Sequence, residues 1–535
     1  MSTKSTRSGA AGSAAAGFRG RTISVVRDLS VDEQVYLYEK TRRLKAALRD
    51  RQDVSEFRLN RPELGVYLFF MEDSTRTKES FRNAAKFHNV KVNDFIAEHS
   101  SFNKKESITD TIKMLVGYSD QSVFVVRSKL EGVCRWLEAA IGEYAVKASL
   151  PPVSFINAGD GRHEHPTQEF LDEFSFLERL DWKREQIHLA LVGDLFHGRT
   201  VHSKVDGLRV FGNVRVDLVA PEEIGMPVHY VDQMKRNGFE VRLFASIEEY
   251  LAQPSVAKIW YFTRLQLERM GDQLRDKEAL FRQAVTFQSG YLSKVLEGTK
   301  FFHPLPRHSV TPTIPPFLDR TSLNGWDEQS MNGYFTRIIE LGLVGGKLGS
   351  DFNGTERTIR EFSDDFVIEA PVGAARKQDY KIGIKPVENG MVIDHIGKNS
   401  KVAEIWNHIG KIREILGLDV VSSQGVFTSQ RDSDAFKGLI SLPDIRPFDE
   451  RQIKMLGAIA PGCTINIIRE SRVIKKYRLA MPPRVYNLPG ISCKNEDCIS
   501  FPGHHEPIQA EFYRSEESAF VCRYCEKPHE FKEIW

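Results

Sequence analysis

The sequence predicts an α/β protein: two doubly wound parallel-sheet domains, followed by a small α+β domain and a cysteine-bearing β unit. Three observations carry this reading. From Gly17 to about Gly346, short β-branched or aromatic runs alternate with helix-length stretches, as buried parallel strands and their crossover helices do. That rhythm breaks over residues 346–379, and beyond Tyr380 shorter runs of mixed type take over. Four of the six cysteines then crowd into residues 493–535.

Composition narrows the class. The 535 residues suit about three or four domains at roughly 150 residues each. Lys+Arg number 74 against 72 Asp+Glu, a net +2 that advertises neither nucleic acid nor membrane as a partner. Hydrophobic residues at 41% and charged residues at 27% exclude wholesale disorder. No run approaches the roughly 18 apolar residues of a membrane-spanning helix. Six cysteines are too few for a disulfide scaffold, and the isolated Cys134 and Cys463 read as buried small side chains. Residues 1–21 form a Ser-, Ala- and Gly-rich basic tail; residues 1–18 hold no apolar core and so no secretory signal, and the composition fits a disordered tail better than an organelle transit peptide, the alternative. A reducing, cytoplasmic setting is expected.

Each element follows in order. Val66-Tyr67-Leu68-Phe69-Phe70, Val123-Phe124-Val125-Val126, Val153-Ser154-Phe155-Ile156, Leu189-Ala190-Leu191-Val192 and Ile259-Trp260-Tyr261-Phe262 are the candidate strands. In such sheets ligands bind beyond the carboxyl ends of the strands, so the residues after each run are the ones to inspect. Residues 346–379 are largely charged and polar and read as a linker. Ile382–Val387 and Gly390–Ile396 read as paired strands with a tight turn, Ala403–Leu416 as a helix and Cys463–Ile468 as a strand.

Six motifs bear chemistry. Glu72-Asp73-Ser74-Thr75-Arg76-Thr77-Lys78 places three hydroxyls and a guanidinium where a strand gives way to a helix, a setting for phosphate; the competing reading is an N-capping cluster. Arg127 closes the next run, and His165-Pro166-Thr167-Gln168 follows Asn157-Ala158-Gly159-Asp160-Gly161. Taken singly, each of these is better explained by structure than by function. Gly193-Asp194-Leu195-Phe196-His197-Gly198-Arg199-Thr200-Val201-His202-Ser203 is a strand-to-helix turn without the dinucleotide glycine spacing. Thr263-Arg264-Leu265-Gln266-Leu267-Glu268-Arg269 and His303-Pro304-Leu305-Pro306-Arg307 complete the set; the prolines of the last predict an extended loop that exposes carbonyl groups.

Five of these motifs, in this order and approximate spacing, resemble the catalytic chain of aspartate carbamoyltransferase over about residues 22–345. His303-Pro304-Leu305-Pro306 points to the aspartate enzyme rather than its ornithine counterpart. The resemblance implies a carbamoyl-phosphate-binding domain (22–165) and an aspartate-binding domain (166–345). It places the phosphate on Ser74, Thr75, Arg76 and Thr77. Arg127, His165 and Thr77 would polarise the carbamoyl oxygen, and Gln168 with the Pro304 and Leu305 carbonyls would hold the carbamoyl NH2. Arg199, Arg264 and Gln266 would take the carboxylates of L-aspartate. Ser100 and Lys104 would come from the neighbouring subunit, which implies a homotrimer, and no metal or covalent intermediate is implied for catalysis. Lys105, Ser128, Lys78 and Trp326-Asp327 depart from the family pattern without removing a ligand.

Cys493-x4-Cys498 and Cys522-x2-Cys525 form a four-thiolate pattern suited to a structural Zn2+, which a redox reading of Cys522–Cys525 alone would not explain. Residues 380–535 resemble the regulatory chain of the same family, through Val392-Ile393-Asp394-His395-Ile396, Pro482-x-Arg484-Val485-x-Asn487 and the cysteine motifs. The chain therefore resembles a fusion of catalytic and regulatory chains, with a ferredoxin-like nucleotide-binding domain (380–482) and a zinc-binding domain (483–535). Asp394, Asn466 and Lys476 match contacts to a nucleotide such as ATP or CTP, whereas Ser441 stands where a second phosphate-binding lysine is expected. The expected activity is carbamoyl transfer to L-aspartate, an early step of pyrimidine synthesis. The alternative is a non-catalytic assembly or nucleotide-sensing protein on the same fold.

Overall fold

The computed structural model describes residues 17–96, 107–270, 276–358, 366–372, 384, 386–398, 400–418, 423–428, 435–488, 490–504, 506–515, 519–530 and 533–534. The chain divides into two compact units: Met1–Thr358 with 497–499 and 503–506, and the remainder.

In the first unit, β1 (Leu64–Phe70), β2 (Lys91–Ile96), β3 (Gln121–Ser128) and β4 (Val153–Asp160) form a parallel sheet in the order β2-β1-β3-β4. A second parallel sheet holds β5 (Gln186–Val192), β6 (Asn213–Val219), β7 (Glu240–Phe244), β8 (Ile259–Phe262) and β9 (Lys300–Phe302) in the order β7-β6-β5-β8-β9. All five apolar runs singled out in the sequence lie in strands, namely β1, β3, β4, β5 and β8. Every residue of β1 and β8 is buried, the continuous apolar pattern of strands covered on both faces. Ile23 pairs with Ile156 and extends the β4 edge. The helix Trp326–Val344 follows β9 yet packs on helices Val31–Arg49, Thr75–Phe87 and Pro166–Arg179, which locks the two sheets into one unit.

In the second unit, β10 (Val367–Glu369), β11 (Gly390–Ile396), β12 (Ser423–Thr428), β13 (Phe436–Pro443), β14 (Thr464–Arg469) and β15 (Arg472–Leu479) form an antiparallel sheet in the order β10-β15-β14-β11-β13-β12. Helix Val402–Ile415 connects β11 to β12, and helix Glu450–Ile459 connects β13 to β14. This βαββαβ course is the ferredoxin-like one expected. Its core is aliphatic, with Met391, Ile393, Ile405, Ile409, Ile440 and Leu456 buried together. A last antiparallel sheet holds β16 (Arg484–Tyr486), β17 (Glu511–Arg514), β18 (Ala519–Cys522) and β19 (Pro528–Glu530).

Two expectations need correction. The two edges of β11 are taken by β13 and β14 rather than by a preceding hairpin strand; of the expected strand 382–387, residues 382, 383 and 385 lie outside the described residues. The expected linker holds structure over 351–355 and again at 367–369. Asp351 accepts hydrogen bonds from Tyr36 and Lys40, Phe352 packs 5.4 Å from both Phe18 and Tyr36, and Thr355 N–H donates to Asp32, so this stretch seals helix Val31–Arg49. Further on, β10 pairs with β15 as an edge strand of the second unit. Three residues of strand leave too short a pattern to read locally.

Trp260 is the keystone of the second sheet. It is fully buried, 5.1 Å from the Tyr250 ring and 5.3 Å from Phe301, and its indole N–H donates to the Ala257 carbonyl. Trp260→Ala is expected to cost about 3–5 kcal/mol, read as a lowered denaturant midpoint of the first unit; an unchanged midpoint would show that the site collapses without penalty.

Candidate active site

The segments that follow β1, β3, β4, β5, β8 and β9 line one cavity of about 1230 Å³. Ser74, Thr75, Arg76, Thr77, Arg127, His165, Gln168, Arg199, Arg264, Gln266, Pro304 and Leu305 all line it. Ser100 and Lys104 lie outside the described residues.

At the end of β1 the chain turns into helix Thr75–Phe87, with Ser74 at the N-cap. Ser74 makes no side-chain cap bond, and the first turn carries no acid, so the capping alternative is not realised. The helix N-terminus, its unpaired N–H groups and the Arg76 guanidinium therefore face the cavity as an anion seat. Burial and the nearby Arg337 push Arg76 down to about 10.

Arg127 is fixed at the β3 end by Nε donating to Glu72 Oε2 at 2.9 Å and Nη1 donating to the Ala158 carbonyl at 2.8 Å. Gly159 makes that approach possible: a Cβ there would lie 2.4 Å from Arg127 Nη1. Arg199 also donates to Glu72 Oε2 at 2.9 Å, and Arg269 donates to Oε1 at 3.3 Å. Burial alone would raise the Glu72 carboxyl, but Arg199 and Arg127 outweigh it and hold it below the usual range. Burial and Arg199 push Arg127 down to about 9, the mark of a cation cluster short of anions. Arg199 Nη1 is buried with no hydrogen-bond partner among the described residues, a donor awaiting a ligand.

His165 caps helix Pro166–Arg179, and its backbone N–H donates to Ser203 Oγ at 3.0 Å. Its ring Nδ1 lies 3.3 Å from Thr167 Oγ1. Burial, then Arg127 and Arg199, hold its pKa well below the ordinary value, so the imidazole is neutral at pH 7. Gln168 Nε2 donates to Asp172 at 2.8 Å, which leaves the amide oxygen for the cavity. Gln266 is placed by its backbone N–H donating to buried Asp194, the same carboxylate that receives the His197 N–H.

The 303–307 loop corrects another expectation. It is not simply extended: Leu305 has φ 51°, the Leu305–Pro306 bond is cis, and the Leu305 N–H donates to His303 Nδ1 at 2.8 Å. His303 Nε2, buried, has no partner among the described residues.

The residues that sequence reading left without a role are Glu72, Asp194, Arg269 and His303. Each lay inside a quoted motif. The available signal for Glu72 was an acidic pair, Glu72-Asp73, between the strand end and the phosphate seat.

The sulfurs of Cys493, Cys498, Cys522 and Cys525 lie within 4.8 Å of one another, all buried, with Cys493 and Cys525 3.7 Å apart. That separation is the edge of a tetrahedron with about 2.3 Å metal–sulfur bonds, and His529 Nε2 sits 3.4 Å from Cys493 Sγ as an outer partner. The cluster fits a structural metal. On the six-stranded sheet Asn466 is paired with Lys476 and with Val392, which puts Asp394, two residues on, on the same face. Ser441, opposite Val392, brings no cation there, but Lys437 on the same strand face does, its ammonium 2.9 Å from Asp394.

Comparison with known proteins agrees with this geometry. The family described as aspartate/ornithine carbamoyltransferase, carbamoyl-P binding domain, matches residues 21–178. The aspartate carbamoyltransferase regulatory chain matches twice, its allosteric domain over 382–480 and its metal binding domain over 483–535. Protein PyrBI of Thermotoga maritima is 57% identical over 97% of this chain and 99% of its own length. Its namesake in Treponema denticola is 49% identical over 97% and 98%. The aspartate carbamoyltransferase catalytic subunit of Thermococcus kodakarensis is 32% identical over 62% of this chain and 99% of its own. A crystal structure of Trypanosoma cruzi aspartate transcarbamoylase with carbamoyl phosphate and aspartate superposes with TM-score 0.52 at 28% identity, over 61% of this chain and 97% of that one. The chain belongs to the aspartate carbamoyltransferase family, in the form that joins catalytic and regulatory chains in one polypeptide.

Proposed function

We propose that this protein transfers the carbamoyl group of carbamoyl phosphate to the amine of L-aspartate, giving N-carbamoyl-L-aspartate and phosphate for pyrimidine synthesis. One observation carries the reading: a single cavity is lined by a helix-N-terminal anion seat and by Arg199, Arg264 and Gln266. The phosphate takes Ser74, Thr75, Arg76 and Thr77. Thr77, Arg127 and His165 donate to the carbamoyl oxygen, and Gln168 with the Pro304 and Leu305 carbonyls accepts from the NH2. The neutral aspartate amine bonds to the carbamoyl carbon, the oxyanion forms among these donors, and the carbon–oxygen bond to phosphate breaks as one amine proton passes to the departing phosphate. Loss of one such donor costs on the order of 100- to 1000-fold in rate, and holding the two anions together supplies about 7–11 kcal/mol. Neutral His165 donates an N–H without adding charge to an already cationic cavity.

The assembly is a homotrimer in the cytoplasm, with Ser100 and Lys104 completing the neighbouring site. The domain plan is that of the sequence: carbamoyl-phosphate domain, aspartate domain, regulatory domain and metal domain. The metal is Zn2+, held by the four cysteines. Asp394, Asn466 and Lys476 form a nucleotide-facing set, and Lys437 offsets the missing lysine at Ser441. The deciding experiment is the rate of carbamoyl-aspartate formation against aspartate concentration, with and without ATP and CTP. Turnover supports the catalytic reading and a nucleotide-dependent shift supports the regulatory one; a folded, metal-loaded protein without turnover favours the non-catalytic alternative.

Three outcomes follow. Arg264→Ala raises the aspartate KM roughly ten- to a hundredfold, the worth of one charged hydrogen bond, and leaves carbamoyl phosphate affinity alone; equal loss of both would make Arg264 structural. Glu72→Gln leaves three guanidiniums without their anion, and kcat/KM for aspartate falls roughly ten- to a hundredfold; wild-type kinetics would make the pairs bystanders. Chelation releases one zinc per chain by metal analysis and melts the terminal β unit, whereas a metal-free protein with an unchanged thermal profile would refute the structural role.

A further inference from the structure

Beneath the cavity lies an ionic cluster that the reaction itself does not use. Glu169, Asp172, Glu173 and Lys204 are all fully buried. Lys204 Nζ donates to Asp172 Oδ2 at 2.9 Å and to Glu169 Oε2, and it stands 4.6 Å from the Tyr261 ring. Asp172 Oδ1 accepts twice, from Gln168 Nε2 at 2.8 Å and from Gln329 Nε2 at 2.6 Å. The far end of Gln329, its Oε1, accepts the His303 backbone N–H at 2.8 Å. One carboxylate thus joins the Gln168 amide and the loop that carries Pro304 and Leu305.

The chemistry of that centre is directional. An ionised carboxylate only accepts, so both glutamines must present their NH2 groups to it. Gln168 then has its oxygen left for the cavity, and Gln329 has its oxygen left for His303. A neutral amide or hydroxyl at position 172 would not enforce either orientation. Buried charge is costly unless paired, and Lys204 is the counter-charge that makes a carboxylate tenable there. Glu173, whose two oxygens find no donor among the described residues, is held protonated by burial and by Glu169, so Lys204 is shared between Asp172 and Glu169.

We propose that Asp172, held by Lys204, is a positioning residue that sets the carbonyl-type acceptors of the cavity and so selects a carbamoyl NH2 over a donor lacking it. The inference rests on the function proposed above and names a specificity element within it. The test measures binding of carbamoyl phosphate and of inorganic phosphate to wild-type and Asp172→Asn protein, alongside turnover. Wild-type turnover is the check on the underlying reading, and its absence would sink that reading rather than this one. With the wild type active, Asp172→Asn weakens carbamoyl phosphate about tenfold, and phosphate, which has no NH2, changes less than about twofold. Equal weakening of both ligands, or no change in either, overturns the proposal. If Asp172→Asn does not fold, Gln329→Met carries the same test, since it cuts the link from Asp172 to His303 and is expected to give the same split between the two ligands.

Discussion

The cavity depends on one carboxylate. Glu72 comes from the end of β1, Arg127 from the end of β3, and Arg199 and Arg269 from segments that follow β5 and β8. Guanidiniums gathered in a partly dry space repel one another, and the depressed values of Arg127 and Arg76 record that repulsion together with the loss of water. A site built to receive two anions needs this excess of positive charge, yet must survive without its ligands. Glu72 resolves the conflict, since it neutralises part of the field and ties loops of both parallel sheets to one point.

The same electrostatic logic explains the histidines. His165 and His303 sit among arginines in a buried setting, and both are held neutral, His303 down to about 3. A neutral ring is a hydrogen-bond donor whose state does not change across the physiological pH range. Orientation is then supplied from behind the cavity wall, by Asp194 for Gln266 and by Asp172 for Gln168. The residues that face the substrate are placed by buried carboxylates that do not face it.

Much of this was legible in the sequence. Parallel strands buried on both faces leave continuous apolar runs, and the motifs after them gave the residues that line the cavity. The four cysteines carried their own geometry. What escaped has a common physical cause: its partners are distant in the chain. Glu72 meets Arg199 across 127 positions and Asp172 meets Gln329 across 157, and no local period records such pairs. The β10 strand escaped for a different reason, being three residues long and paired with β15. Strand alternation places Lys437 on the same face as Ser441, and its contact with Asp394 again joins residues distant in the chain.

The central claim is that one cavity seats a phosphoryl group and a dicarboxylate at once. A crystal structure of the assembled protein with N-(phosphonacetyl)-L-aspartate tests it most directly, because that molecule joins both groups covalently. The account predicts the phosphonate at Ser74–Thr77 and Arg76, with the carboxylates on Arg199 and Arg264. A ligand seated elsewhere, or one whose carboxylates avoid those two arginines, would contradict it.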